Sequence, residues 1–316
     1  MSLLGIFATA ILPIITIAGL GFLLGRWKDV EADALHTVTV YVLAPALAFH
    51  SLGTTDLGSG AVAGIAVGVF VFTGVMTLLS EGVGRGLAHR EPLLGSFVLV
   101  SVFANAGNLG IPVSEFAFGE VGRSTAVVYL VSQSVMMYTL GVYLAARGDG
   151  SDWRSGLKTV VTIPLVYAVI AALLFRGAGL LPPANSATME TIGLVGDSAI
   201  PVMLLILGIE LAHTDYGSAA FRVSPAVALK LLVAPLVAVP IAVVIGFENR
   251  TVARVFVLEC AMPAAVTTLI LTGEFSAPGA DLEAAEFAGT AILASTLLSI
   301  PLLTLFIALL QTGLVL

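Results

Sequence analysis

Long uncharged stretches make up most of the chain, and the short segments between them carry most of its charged residues. A helix needs about 20 mostly apolar residues to cross a bilayer. Seven uncharged stretches predict such helices, the sixth of them short: 3–25, 34–55, 57–80, 92–114, 124–146, 159–175 and 287–316. Three further stretches qualify if ionisable residues are tolerated inside them: 187–212 with Asp197, 221–247 with Lys230 and 251–274 with Glu259. The pattern therefore predicts ten transmembrane helices.

The longest hydrophilic segment, 147–158, leaves five predicted helices on either side. It divides the chain into a first five-helix repeat (1–147), a short cytoplasmic linker (148–158) and a second five-helix repeat (159–316). Because an odd number of crossings reverses the direction of the chain, a repeat of the first half in the second must be inverted across the membrane.

Prolines interrupt corresponding helices of the two halves. Pro45 lies in the second predicted helix and Pro201 in the seventh, while Pro112 lies in the fourth and Pro263 in the ninth. Interruptions at corresponding positions are typical of transporters built from inverted repeats. With Pro112 aligned on Pro263, we predict an all-α polytopic membrane protein whose ten transmembrane helices form an inverted 5+5 repeat, with broken, crossing helices 4 and 9.

The composition supports a membrane protein and excludes several other classes. The chain is 58% hydrophobic and 10% charged, whereas a soluble domain has about 25% charged residues. A net charge of −7 provides no basic face for nucleic acid, and one cysteine excludes a disulfide framework or a cysteine metal cluster. The sequence has no Walker loop and no catalytic motif, and its four histidines lack metal-ligand spacing. We therefore predict neither an enzyme nor a bound metal or cofactor.

The distribution of Lys and Arg between the loops predicts the orientation, because cytoplasmic loops carry the excess. One side has eight basic residues: Arg26, Lys28, Arg85, Arg90, Arg147, Arg154, Lys158 and Arg222. The other side has four: Arg123, Arg176, Arg250 and Arg254. The sequence therefore predicts a multi-pass protein of the plasma membrane, with extracellular termini and a cytoplasmic central loop.

The most informative segment is 103–119, FANAGNLGIPVSEFAFG, inside the fourth predicted helix. Pro112 removes a backbone donor and clashes with the carbonyl four residues earlier, and Gly107 lowers helix propensity further. A break inside a membrane is tolerated only within protein or beside a water-filled cavity. It would create a half-helix N-terminus that favours an anion, with the amides of Asn105 and Asn108 beside it. The alternative is a proline kink packed by small residues.

The ninth predicted helix has a partner break at Met262 and Pro263, followed by Thr267. If the two breaks cross, two half-helix N-termini supply roughly a full positive charge without a basic side chain. That environment suits a carboxylate. The predicted substrate-binding residues are Asn105, Gly107, Asn108, Pro112, Met262, Pro263 and Thr267.

Ionisable and polar residues inside membrane spans are candidates for function. Glu259 lies one turn before Pro263, and either couples transport to a proton or cation or is a polar residue satisfied by neighbouring helices. Asp197 could approach the same cavity. Lys230 could snorkel to an interface, neutralise Glu259 or bind the substrate. Gln133 would line a cavity if its face of the fifth helix points inward.

Several segments resemble a known family. The segment FANAGNLGIPVSEFAFG is similar to the span-4 signature of the auxin efflux carrier family, and LECAMPAAVTTLILTGEF is similar to its span-9 signature. IPVMLLILGIEL in span 7 and LKLLVAPLVA in span 8 also resemble family patterns, so that the similarity covers essentially the whole chain. The same architecture resembles the broader bile acid/sodium symporter group, which keeps sodium coupling open.

The resemblance implies ten helices in two inverted repeats, with spans 4 and 9 crossing at their prolines. It implies that Asn105, Asn108 and Pro112, with Pro263 opposite, border a site for organic anions such as auxin, malate or malonate. Spans 1, 2, 6 and 7 would form a dimerising scaffold, and spans 3–5 and 8–10 an elevator-like moving unit. Plant members have asparagine where this chain has Val113 and Ala264, which argues against auxin itself.

These observations lead to a functional hypothesis with alternatives. We expect a secondary transporter that carries a small organic anion by alternating access, as a homodimer in the lipid bilayer, with H⁺ or Na⁺ as a possible coupling ion. A sodium-coupled symporter of the bile-acid type, a non-transporting receptor or sensor, and an intramembrane enzyme are the alternatives.

Overall fold

A computed structural model describes residues 5, 7–28, 30–55, 57–147, 162, 164–213, 221–275 and 281–313. The predicted linker 148–158 lies outside these residues. The first helices are α1 (7–28), α2 (Asp33–Thr54), α3 (Ser59–Gly86), α4 (Leu93–Val102), α5 (106–118), α6 (120–145) and α7 (Pro164–Gly177). The later ones are α8 (Ala187–Asp197), α9 (Ala199–His213), α10 (Ser224–Ile245), α11 (Arg250–Cys260), α12 (Thr267–Phe275) and α13 (Asp281–Thr312).

The described part of the chain is helical and contains no strand, apart from one isolated β-bridge. Six helical segments in it are long and apolar enough to cross a membrane, and α4 and α7 are shorter apolar helices. In a bilayer every backbone polar group needs a partner within the protein, which a helix provides along its own length. The prediction of an all-α polytopic membrane protein is confirmed to this extent, while the count of ten crossings and the inverted repeat stay predictions.

Gly119 separates α5 from α6 within the apolar segment Ala106–Ala145. Its backbone has φ 67° and ψ −152°, a region that is essentially restricted to glycine. After this residue the chain folds back, because Gln133 of α6 lies beside Ala104, which precedes α5, and hydrogen bonds to it. The predicted boundary between spans 4 and 5 is therefore a tight turn, and α5 extends beyond the predicted end of span 4 at Ser114.

The helices pack in two groups. The first contains α1, α2, α7, α8 and α9, and the second contains α3 to α6 and α10 to α13. In the first group α1 and α9 approach at glycines: a Cβ added to Gly208 would lie 1.9 Å from the carbonyl oxygen of Ala18, and one added to Gly21 would lie 2.3 Å from that of Leu205. Small residues allow such backbone contact between membrane helices.

Candidate functional site

Two interrupted segments cross in the middle of the second group of helices. Helix α4 ends at Val102 and α11 ends at Cys260. Between these helices and the next ones, Ala104 and Ala264 form an antiparallel bridge. The N–H of Asn105 donates to the carbonyl of Pro263 at 2.8 Å, and the N–H of Ala265 donates to that of Phe103 at 3.0 Å. Each break therefore satisfies backbone groups that the other leaves open, as a break inside a membrane requires.

Pro112 does not mark the break in the fourth segment, so the prediction of a half-helix N-terminus there is wrong. The interruption lies at 103–105, and α5 starts with a π-helical turn, Ala106–Gly110. The N–H of Ile111 donates to the carbonyl of Ala106, five residues back, and this wider turn accommodates the missing donor of Pro112 inside a continuous helix. Ala104, rather than Pro112, is the residue that lies opposite the break in the ninth segment, where it faces Ala264.

Side chains from the following helices hold both bridging residues. The Ala104 N–H donates to Oε1 of Gln133 at 3.0 Å, and Nε2 of Gln133 donates to the Ala104 carbonyl at 2.8 Å. The Ala264 N–H donates to Oγ of Ser295 at 3.1 Å. Gln133 is thus a backbone clamp at the crossing rather than a residue free to balance charge. Sequence reasoning missed Ser295, which lies among many serines and threonines of α13.

A cavity of about 200 Å³ lies on one side of the crossing. The residues at the starts of α5 and α12 line it, including the predicted residues Gly107, Asn108 and Thr267, together with Asn105, which directly precedes α5. Some of the first-turn N–H groups have local acceptors: Ala106 donates to the carbonyl of Ala104, Thr268 to that of Ala265 and Leu269 to that of Val266. Both helix starts still direct the positive ends of their dipoles to this space. The clamp residue Gln133 lines it as well. Within the described chain, Met262 and Pro263 are buried at the crossing and Pro112 is buried inside α5, and none of the three lines the cavity.

The side chain of Asn105 is the most informative polar group in the cavity. Asn105 is only 5% exposed, and its amide Nδ2 has no hydrogen-bond partner among the residues that the structure describes. A buried donor without a partner is unfavourable by about 1–3 kcal/mol. The geometry therefore leaves a buried amide donor beside two helix N-termini, which together would suit an acceptor-rich ligand.

Sequence reasoning assigned no role to His36, yet it lines the cavity. Its Nε2 lies 2.7 Å from Oε1 of Glu210 on α9. The sequence does show that His36 and Glu210 are titratable residues in stretches predicted to span the membrane. It does not show that they pair, because 174 positions separate them. The cavity thus carries a His–Glu pair on the side of the first helix group.

Glu259 lies behind the crossing rather than in the cavity. It is fully buried, and the hydroxyl of Ser114 on α5 donates to its Oε1 at 2.6 Å. A Cβ added to Gly110 would lie 2.2 Å from Oε2 of Glu259, so the glycine leaves room for the carboxylate. The contact joins the two interrupted segments through a side chain, and its other oxygen Oε2 has no hydrogen-bond partner within the described chain.

Lys230 is fully buried on α10, so the alternative in which it snorkels to an interface is wrong. Its Nζ donates to the carbonyl of Val102 at 3.2 Å and to that of Cys260 at 3.1 Å. These residues are the last of α4 and α11. The ammonium group of Lys230 therefore points into the protein, toward the carbonyls at the ends of two helices.

Asp197 does not line the cavity either. Its Oδ1 lies 2.7 Å from Nη1 of Arg123, which is 3.6 Å from Oε1 of Glu115. Arg123 is buried at the start of α6, close to the Gly119 turn. This cluster connects the second helix group to α8 of the first, at the end of α5 distant from the cavity.

Comparison with known proteins identifies the family of the chain. The profile of a family described as "Membrane transport protein" matches residues 6–307. The uncharacterized transporter MJ1031 of Methanocaldococcus jannaschii is 24% identical over 255 residues, covering 78% of this chain and 81% of the relative. The uncharacterized transporter YfdV of Escherichia coli is 23% identical over 286 residues, covering 87% and 90% respectively. The similarity to auxin efflux carriers is thereby confirmed, and the chain belongs to this family of membrane transport proteins.

Proposed function

We propose that this protein is a secondary transporter that carries a small organic anion across the plasma membrane by alternating access. The anion is a carboxylate of the size of malate or malonate. It is held in the cavity at the crossing, which has a volume of about 200 Å³. The proposal includes ten helices in an inverted 5+5 repeat, supported by the apolar stretches and by the family resemblance. It also includes extracellular termini, supported by the distribution of basic residues, and a homodimer, supported by the resemblance alone.

The observation that carries the proposal is the set of donors around the cavity. The N-termini of α5 and α12 face the cavity, and their helix dipoles together supply roughly a full positive charge. The buried Nδ2 of Asn105 adds a donor without a partner among the described residues. No lysine or arginine is present in the described lining, so attraction for an anion would come from the backbone and neutral amides. A carboxylate offers acceptors to all of these groups.

The shape of the cavity supports an inward-facing state. Its lining extends from the crossing toward the end where α2 begins, α6 ends and α7 begins, with His36, Tyr138 and Leu165 contributing. By the distribution of basic residues this end is cytoplasmic. At the opposite end, the ion pair between Arg123 and Asp197 joins the two helix groups. In the proposed cycle the second group moves against the first, and this pair opens when the site faces outward.

Glu259 is the proposed coupling residue. It is a fully buried carboxylate one turn before the ninth-segment break, and it contacts the fourth segment through Ser114. A change in its protonation or cation occupancy would alter this contact, and through it the alignment of the two interrupted segments.

The decisive experiment measures current in proteoliposomes on a solid-supported membrane, with mono- and dicarboxylates and with imposed sodium or pH gradients. We expect a saturable current for one acid, lost in Asn105→Ala and Asn108→Ala. Asn185→Ala, the same change in an exposed loop, is the matched control and should transport normally. Glu259→Gln should remove the response to the coupling gradient.

Two results would contradict the proposal. Full transport by both cavity asparagine variants would show that the anion does not bind at the crossing. Binding of an acid, seen as thermal stabilisation, without current or radiolabel exchange would favour the receptor alternative. A strict requirement for sodium would instead identify the symporter alternative.

A further inference from the structure

The ammonium group of Lys230 lies where two helices end inside the protein. Helices α4 and α11 have 10 and 11 residues and terminate at Val102 and Cys260. Nζ of Lys230 donates to the carbonyls of both terminal residues, at 3.2 and 3.1 Å. One side chain from α10 therefore binds the C-terminal ends of both interrupted helices, which belong to different halves of the chain.

The ammonium group of Lys230 has compensating negative charge at the two helix C-termini and at the buried carboxyl of Glu259, with which it interacts electrostatically. A helix C-terminus has the effect of about half a negative charge, so two converging C-termini amount to about one. One ammonium group offsets that charge. Because Lys230 is fully buried, salt does not screen the interaction as it would at a surface. The ring of Phe72, whose centroid is 5.8 Å from Nζ, adds a cation–π contact.

Transporters with broken helices commonly use such carbonyls differently. In them, unwound backbone carbonyls and half-helix C-termini coordinate a sodium ion or a proton. Here the two carbonyls accept hydrogen bonds from a side chain of the same chain. Unlike a bound ion, that cation cannot dissociate.

We infer that Lys230 is a tethered cation that performs, at the two C-termini of the crossing, the role of a bound metal ion. It holds α4 and α11 in position, so that the opposite ends of the crossing, the N-termini of α5 and α12, stay aligned on the cavity. As a consequence for transport, which rests on the proposed function, anion binding needs no metal cation at this point. Any coupling ion acts elsewhere.

The substitution Lys230→Ala removes the atoms of a propylammonium ion and leaves two carbonyl oxygens facing a space of that shape. The test measures the thermal unfolding of the purified full-length protein in N-methylglucamine, sodium or propylammonium chloride at equal ionic strength and without any carboxylate. In N-methylglucamine, Lys230→Ala should unfold about 5–10 °C below the wild type, because a buried partner has been removed. Sodium or propylammonium should raise the Tm of Lys230→Ala by more than it raises the Tm of the wild type.

Two further variants separate the charge from the packing. Lys230→Met fills the space without a charge, so its Tm should be lowered and should not recover with either cation. Lys230→Arg keeps the charge and should remain closer to the wild type. Where Lys230→Ala does not yield folded protein, the difference between these two variants decides.

The inference is overturned by any of three results. Lys230→Ala could match the wild type in N-methylglucamine, the cations could shift both proteins equally, or Lys230→Met could equal Lys230→Arg. Because unfolding is measured without substrate, these outcomes are independent of whether the wild type transports a carboxylate. A failed transport assay with a cation-responsive Lys230→Ala would overturn the proposed function alone.

Discussion

The clamp between Gln133 and Ala104 permits a quantitative test of the crossing. Gln133 is 3% exposed, and its amide makes two hydrogen bonds to the backbone of Ala104, at 3.0 and 2.8 Å. Gln133→Leu keeps a similar volume and removes both partners. Each buried backbone group left without a partner is unfavourable by about 1–3 kcal/mol. The expected loss of unfolding free energy is therefore about 2–6 kcal/mol.

Two other variants calibrate this value. Ser295→Ala removes one acceptor from the N–H of Ala264, so we expect about half the loss, 1–3 kcal/mol. Ser132→Ala removes a buried hydroxyl whose acceptor is the carbonyl of Val128, four residues earlier in the same helix. That carbonyl also accepts a helical hydrogen bond, so Ser132→Ala should lower the free energy of unfolding by less than about 1 kcal/mol.

Thermal unfolding in detergent, followed by intrinsic fluorescence and by circular dichroism, measures all three variants. The double variant of Gln133 and Ser295 should deviate from additivity, because both residues support one bridge. If Gln133→Leu unfolds within a degree of Ser132→Ala, the two hydrogen bonds do not hold the crossing, and the reasoning from unpaired buried backbone groups fails here.

Two further predictions concern the Arg123 cluster and the Gly119 turn. Asp197→Asn should destabilise the protein by about 3 kcal/mol, because it leaves the guanidinium of Arg123, which is 6% exposed, buried without its nearer carboxylate partner. Arg123→Gln should lose less, about 1 kcal/mol, because the Asp197 carboxylate left behind is 61% exposed and stays hydrated; equal shifts in Tm would contradict the buried ion pair. Gly119→Ala should lose about 1–3 kcal/mol from backbone strain alone, because no atom lies within 4 Å of the added Cβ. Gly74→Ala, equally open but inside α3, should be neutral or stabilising, and a similar loss in both would refute the strain argument.

The positions of the helices followed from the sequence because a bilayer imposes one solution on long apolar stretches. The break in the fourth segment was predicted too late in the chain. Pro112 is the conspicuous breaker, yet a π-helical turn accommodates it. The residues that interrupt the helix, Phe103 to Asn105, depend on hydrogen bonds to Pro263 and Ala265. A local propensity cannot show a partner more than 150 residues away.

The candidate site was predicted in part for the same physical reason. Asn105, Asn108 and Thr267 meet in one cavity, because polar residues beside a break in a membrane helix have few other places to lie. The contacts of Lys230 were not predicted, since its partners are backbone carbonyls, which every residue carries. The sequence identified Lys230 as a candidate functional residue only because a charge buried inside a membrane span has a high free energy.

The crossing separates the ends of four short helices by sign. The N-termini of α5 and α12 point to the cavity, and the C-termini of α4 and α11 meet at Lys230. On the proposed function, the preference for a negative ligand is therefore built into the direction of the backbone. Neutral substitutions in the lining other than at Asn105 and Asn108 would change which acid binds, and how tightly, without changing the sign of the charge that is accepted.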